Sequence, residues 1–439
     1  MAIDVPDRVI GDAPDSPDRE AAEADAPRQR LRARVWNGTR SWLGEVARPV
    51  PLSTGLSGRR NALGIIRFVL AAAVIVSHSF PLSGRGEDPV LGWSRGQQNL
   101  GGFAVIGFFA ISGYLIAKSG TRNDILQFAW ARILRIFPAF LAVLALSAFV
   151  VGPIAWKLMG RGFWSYFTTP GGPFSYIAND WTLTIHQWGI LDIFSATPYG
   201  QAQGGLSVFN GSLWTLTYEW TCYVLIGAFV LFGLLRGFKV VVPILTLVLF
   251  GMQIARVAGA SFVAVVPWLG DQYIVSLGLI FMIGATFAMY ADRIVLDYRL
   301  FLFCAALSVY TAREGGFGIV GYPAFAYVLF WMAAKLPDAL KRLGSKNDYS
   351  YGLYVWGFLV QQIVAALGWY HFGFIAYVAI CLVFSMIMAW LSWHGVEKHA
   401  LALKGWGPGR GVMHWYNAAS TLFRKRETKQ ARETKVGME

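Results

Sequence analysis

Residues 62–80 read ALGIIRFVLAAAVIVSHSF. Only Arg67 and His78 in this stretch are ionisable. A helix needs about 20 mostly apolar residues to cross the hydrocarbon core of a bilayer, so the stretch reads as a membrane span. At about 100° per residue, the eleven steps from Arg67 to His78 make three turns plus about 20°. The two side chains therefore share one face, ~16 Å apart along the axis. Ionisable groups on one stripe of an apolar helix are costly against lipid and turn towards the bundle interior or a water-filled cavity. The other reading is that each snorkels to its own interface.

The whole chain agrees with this first span. Of 439 residues, 55% are apolar and 14% are charged, against about 25% charged in an ordinary soluble domain. Aromatic residues make up 15%, and the mean hydropathy is +0.47. These values exclude a disordered chain, collagen and a disulfide scaffold, and argue against a soluble enzyme. The expected fold class is all-α: a polytopic integral membrane protein of about ten transmembrane helices, near 62–80, 100–118, 133–153, 213–234, 240–257, 272–290, 295–312, 315–333, 349–368 and 372–395. An even number of spans puts both termini on one side.

The formal charge of +13 is concentrated beside the apolar spans. Residues 28–67 hold nine arginines and one acid, Glu45, and residues 396–439 hold nine Lys/Arg and four acids. With both ends cytoplasmic, the inner loops between residues 68 and 395 hold twelve basic residues and the outer loops six. That is the positive-inside pattern. The basic blocks also suit anionic membrane lipids. Nucleic acid is not expected as a partner, since no soluble domain with a basic face is visible.

Residues 1–27 contain eight acids, two arginines and four prolines. Residues 1–60 are expected to form a disordered, acidic-then-basic cytoplasmic tail, and residues 401–439 a basic cytoplasmic tail. No apolar stretch precedes residue 62, so the first span is expected to be an uncleaved anchor. Cys222, Cys304 and Cys381 are scattered in apolar runs and form neither a disulfide framework nor a metal site. Residues 154–212 are expected outside. Their Trp181, His186 and Trp188 suit an interfacial belt, although such side chains also line sugar sites. No internal repeat is visible.

Four further elements carry candidate chemistry. Gly107–Leu115 includes Ser112 and Gly113, a pair that lets helices approach and a hydroxyl bond across the contact. Arg132 and Arg135 lie i, i+3 on one helix face before Pro138; they suit bidentate phosphate binding or plain positive-inside topology. Ser212–Trp220 carries Glu219, expected at the depth of His78. A carboxylate there needs a partner, and the imidazole is the expected one. His394 and His399 are five apart, about 140° on a helix, and do not converge on a metal. No phosphate-binding glycine loop is present.

This ordered set resembles acyltransferase family 3, polytopic membrane enzymes that acylate cell-surface polysaccharides and related acceptors. The resemblance spans about residues 61–400. It rests on Arg67-x10-His78, Phe108-Phe109-x-x-Ser112-Gly113-Tyr114, Arg132 and Arg135 before Pro138, Leu213-Trp214-Thr215-Leu216-x-x-Glu219, and Ser350-Tyr351-Gly352-Leu353-Tyr354-Val355-Trp356. Many members carry a histidine after the last run, where this chain has Gly357. The resemblance implies an acyl-CoA donor, acetyl-CoA by default, a glycan or lipid-linked acceptor, and a bacterial inner membrane location. It implies that Arg132 and Arg135 hold the donor phosphates, Arg67 lines the donor path and His78 acts in acyl transfer. No metal is expected. A neutral imidazole suits proton removal from an attacking hydroxyl; an acyl-histidine intermediate is the other route. Ser112 is a candidate oxyanion donor. A transporter or flippase for lipid-linked sugars would use the same charges, but with paired repeats or broken helices that are not seen. A membrane sensor is the third class, and the tails carry no recognisable module.

Overall fold

Short polar signals, rather than hydropathy alone, set where the helices begin. Asp124 accepts from the Gln127 amide while the Gln127 side chain reaches back to the Asp124 amide. This capping box starts a helix at Ile125, eight residues before the expected span at 133. Asp297 accepts from the amides of Arg299 and Leu300, so the next such helix starts at Tyr298 and not at 295. Buried Asp88 accepts from Ser77 Oγ and from the Leu100 amide, tying the end of one helix to the start of the next.

The computed structural model describes residues 44, 46–58, 60–260, 271–344 and 347–421. The expected tail over residues 1–43 and the end of the chain beyond 421 lie outside the described residues. The unit that begins at Val50 holds every element below. Its main helices are α1 (Leu63–Leu82), α2 (Leu100–Gly120), α3 (Ile125–Leu146), α4 (Thr215–Leu231), α5 (Val241–Val257), α6 (Gln272–Met289), α7 (Tyr298–Glu314), α8 (Tyr322–Lys335), α9 (Ser350–Ala366) and α10 (Phe374–Ser392). Among the described residues the strands are two residue pairs, Val50–Pro51 antiparallel to Val295–Leu296.

Six helical stretches among the described residues are long and apolar enough to cross a membrane: Leu63–Leu82, Leu100–Gly120, Ile125–Leu158, Gln272–Met289, Phe317–Lys335 and Phe374–Gly405. The helices α4 and α5 are apolar but shorter. The third stretch continues α3 through a π-helical turn at Ser147–Val151, where the Tyr166 hydroxyl donates to the Ala148 carbonyl.

The bundle is built around α2 and α9. Helix α2 packs against α6 and α1, and α9 packs against α10 and α1. Glycine makes the α2–α6 contact possible. A Cβ on Gly113 would stand 1.9 Å from the Phe281 carbonyl oxygen, and one on Gly284 would stand 2.0 Å from that of Ala110. Helix α9 is buried along nearly all its length. Its two glutamines use their amide nitrogens to bond neighbouring elements: Gln361 donates to the Ile75 carbonyl and Ser79 Oγ on α1, and Gln362 to the Val208 carbonyl. Gly357 faces Ile75 of α1; a Cβ there would lie 2.8 Å from Ile75 Cγ1.

Residues 401–411 are not detached from the bundle. Trp130 of α3 donates to the Leu403 carbonyl, and Asp124 accepts from the Val412 amide.

The glycine contact makes a stability prediction. Gly113→Val forces backbone apart and should lower stability by about 2 kcal/mol or more. Gly251→Ala on α5, where nothing lies within 4 Å, should be neutral or stabilising. Thermal unfolding of both variants in detergent checks this; equal midpoints would refute the α2–α6 contact.

Candidate active site

Two helices bring three arginines to one end of the bundle. Arg67 enters from the first turns of α1, and Arg132 and Arg135 from one face of α3. Asp348, just ahead of α9, meets two of them with a single oxygen: Oδ2 lies 2.5 Å from Arg67 Nη1 and 2.6 Å from Arg135 Nη2. Its other oxygen accepts from Ser350 Oγ at 2.5 Å and from the Ser350 amide. Arg135 also lies 3.7 Å from Glu397 and sits over the Tyr351 ring. Burial opposes ionisation of Asp348, but Arg67 and Arg135 outweigh it and hold the carboxyl well below the usual range.

Arg132 is held differently. It lies over the Tyr223 ring, and its buried Nε has no hydrogen-bond partner. Glu219 on α4 accepts from Ser112 Oγ at 3.0 Å and from the Tyr223 hydroxyl at 2.5 Å. Its hydrogen-bond partners are thus Ser112 and Tyr223, not the expected His78. The expected common depth fails: Ser77, beside His78, is level with Gly101 of α2, and Ser112 lies eleven residues, about 16 Å, further along that helix. Tyr223 lies one turn beyond Glu219 on the same face of α4. The Ser112 proton is directed at Glu219, which leaves this hydroxyl tying α2 to α4.

These side chains line a cavity of about 430 Å³, within the usual range for small-ligand pockets. Its lining includes four cations, Arg67, Arg132, Arg135 and Lys404, and two carboxylates, Asp348 and Glu219. His78 lies elsewhere. It lines a second cavity, of about 790 Å³, and packs edge-on to Phe358 at 5.2 Å between ring centroids. Val105 and Tyr354 line both cavities. Tyr354 is fixed in this wall: its hydroxyl donates to the Ser212 carbonyl at 2.7 Å and meets Thr215 Oγ1 at 2.5 Å. The structure thus brings Arg67, Arg132, Arg135, Ser112 and Glu219 into one chamber and places His78 in the adjoining one.

Sequence reading missed Asp348, Tyr223, Tyr354 and Glu397. Asp348 had a signal, a carboxylate two residues ahead of the Ser350-Tyr351-Gly352 run. Among the described residues no group of three or more His, Cys, Asp or Glu is placed to hold a metal ion, and His394 Nδ1 bonds its own helix at the Trp390 carbonyl.

Arginines around a cavity inside an apolar helical bundle suit an enzyme or a carrier. Residues 60–394 match the acyltransferase domain of acyltransferase family 3, and the chain belongs to that family. It is 32% identical over 353 residues to an O-acetyl transferase of Shigella phage Sf6, covering 78% of this chain and 96% of the phage protein. It is 26% identical over 381 residues to Nodulation protein 10 of Rhizobium leguminosarum bv. viciae, covering 81% of this chain and 96% of that protein. No solved structure matches it significantly. The chain is a multi-pass membrane enzyme of the O-acetyltransferase kind.

The Asp348 bridge makes a pH-resolved prediction. A carboxyl held low contributes stability that is complete above its unfolded pKa of about 4 and is lost as pH falls through the native value. Asp348→Asn should therefore lower stability by about 2 kcal/mol, less than a fully buried pair because Asp348 is a quarter exposed. The loss should be the same at pH 8 and pH 5 in detergent thermal unfolding. A loss that vanished at pH 5 would place the titration elsewhere.

Proposed function

We propose that this enzyme moves an acyl group, acetyl by default, from cytoplasmic acyl-CoA to a hydroxyl of a cell-surface glycan or glycolipid in the bacterial cell membrane. Residues 61–400 form the catalytic domain, crossing the bilayer with ten helices and leaving both termini cytoplasmic. One observation carries this reading: a chamber rich in arginine adjoins, at Val105 and Tyr354, a chamber lined by a histidine.

Arg132 and Arg135 hold the donor's phosphates. Arg132 brings a guanidinium nitrogen with no protein partner, and a phosphate oxygen is the natural acceptor for it. Arg67 lines the path by which the thioester arm advances. Lys404 at the same chamber adds a point charge.

His78 removes the proton from the acceptor hydroxyl as its oxygen attacks the thioester carbonyl carbon. The tetrahedral oxyanion collapses, the C–S bond breaks, and the imidazolium returns its proton to the departing thiolate. The ester and free CoA are the products, and the imidazole is regenerated. Glu219, held by Ser112 and Tyr223, positions α4 against α2 and balances Arg132.

Four measurements test this. His78→Ala should insert normally and lower acyl transfer by about 10²–10⁴-fold, the usual range for a general base. Arg135→Ala should raise the KM for acyl-CoA by about 10- to 100-fold, as for a lost charge-assisted bond. Membranes incubated with labelled acetyl-CoA should place stable label on a glycan or lipid. Sugar movement without label would instead make the chain a transporter, and full surface acylation in cells carrying only His78→Ala would end the case for a base.

A further inference from the structure

The chain has a third concavity, beyond the His78 chamber. It is a groove of about 860 Å³, formed by residues 186–211 on one side and by Trp214, Tyr218 and Tyr273 on the other. Trp214 and Tyr273 line both this groove and the His78 chamber. A second link runs through rings: Tyr199 of the groove packs edge-on to Phe358 at 5.6 Å, and Phe358 packs edge-on to His78 at 5.2 Å.

The chemistry of the groove is unlike that of the arginine chamber. Five aromatic rings line it, with the amides of Gln187 and Gln203, and none of its lining residues is Lys, Arg, Asp or Glu. Trp214, Tyr218 and Tyr273 pack on one another, with ring centroids 4.5 to 5.8 Å apart. Trp188 stands across from them, 43% exposed. The segment is held rigidly. Buried Asp180 accepts from the amides of His186 and Gln187, and the Gln187 side chain bonds the Gly171 and Gly189 carbonyls. Leu183, Leu191 and Phe194 are held at positive φ, a strain that surrounding structure must enforce.

We infer that this groove seats an uncharged sugar ring of the acceptor and delivers its hydroxyl to the His78 chamber. A pyranose offers flat C–H faces to an aromatic ring and hydroxyls to amides and phenols. Trp188 and Trp214 supply the faces, and Gln203 and Tyr199 supply the polar groups. The lack of charge disfavours a phosphate or an anionic lipid head group here. An interfacial belt would instead leave its rings projecting outwards, as Trp164 does at 77% exposure, and not lining a concavity that borders the His78 chamber.

This inference rests on acyl transfer to a glycan, so its test is a binding measurement without turnover. The full chain carrying His78→Ala is purified in detergent. It is titrated calorimetrically with oligosaccharides cut from the host's own surface polysaccharide and stripped of O-acyl groups by mild base. Adding Trp188→Ala should weaken binding about 30-fold, as for a hot-spot tryptophan. Trp188→Phe, which keeps a ring, should stay within about threefold, and Gln203→Ala should lose about tenfold. Equal binding by Trp188→Ala and Gln203→Ala overturns the inference. So does an enzyme that acylates a cell glycan in membranes but does not bind these oligosaccharides. Tight binding with no acyl transfer in the unmutated enzyme supports the groove and overturns the acyl-CoA reading instead.

Discussion

A single carboxylate holds one end of this bundle together. Asp348 touches Arg67 of α1 and Arg135 of α3 with the same oxygen, while Ser350 fixes its other oxygen at the start of α9. Two guanidiniums in a partly buried chamber would repel each other and lose hydration without it. With it, α1, α3 and α9 are pinned at one level. The pin sets how far α9 is threaded into the bundle, and therefore where Tyr351 and Tyr354 meet the chamber walls. The Tyr351 hydroxyl donates to the Ile136 carbonyl of α3, next to Arg135, so the same alignment is fixed a second time.

Hydropathy located the helices because lipid imposes a length and a composition that few soluble segments meet. Each expected span overlaps a helix, but among the described residues six helical stretches, not ten, are long and apolar enough to cross a membrane. Asp124 and Asp297 moved two starts by several residues, and both are capping signals that an apolar window averages away. The i, i+3 spacing of Arg132 and Arg135 correctly put both on one face, since both line the same chamber. The Glu219–His78 pairing failed for a different reason. Residue counts give depth only roughly in a bilayer: Ser112, which meets Glu219, lies about 16 Å along α2 from Gly101, the residue level with Ser77 and His78. Asp348 escaped notice because it belongs to no span, although the arginines it serves do.

The segment between α3 and α4 shows the same limit. Connections longer than about 15 residues are uncommon in compact folds unless they work. Its composition alone favoured a lipid belt over a sugar site. What separates the tryptophans is their surroundings. Trp164 projects with 77% of its surface exposed, whereas Trp214 is enclosed by Tyr218 and Tyr273 and borders the His78 chamber. The ion pair of Arg161 with Asp192 and the bonds to Asp180 use the loop's own polar groups to hold this shape. No span-by-span reading of hydropathy contains that information.

The balance of charge inside the bundle argues for what the arginine chamber is for. Membrane interiors select against uncompensated charge, so a purely structural cluster should pair each cation with its own anion. Neutral groups elsewhere in the bundle are only partly bonded: Gln362 and Ser79 have partners, but Gln361 Oε1 and the indole nitrogens of Trp331 and Trp356 have none among the described residues. In the chamber the shortage is one of charge. Arg67 and Arg135 share one oxygen, Glu397 stands 3.7 Å away, and Arg132 keeps a buried nitrogen without a bond. Four cations face two carboxylates. Unpaired neutral atoms carry no net charge, so the excess of cation over carboxylate is what sets this chamber apart from the rest of the core. On the proposed reading the donor's phosphates supply that anion, at the end of the bundle where Asp348 already holds two arginines in place.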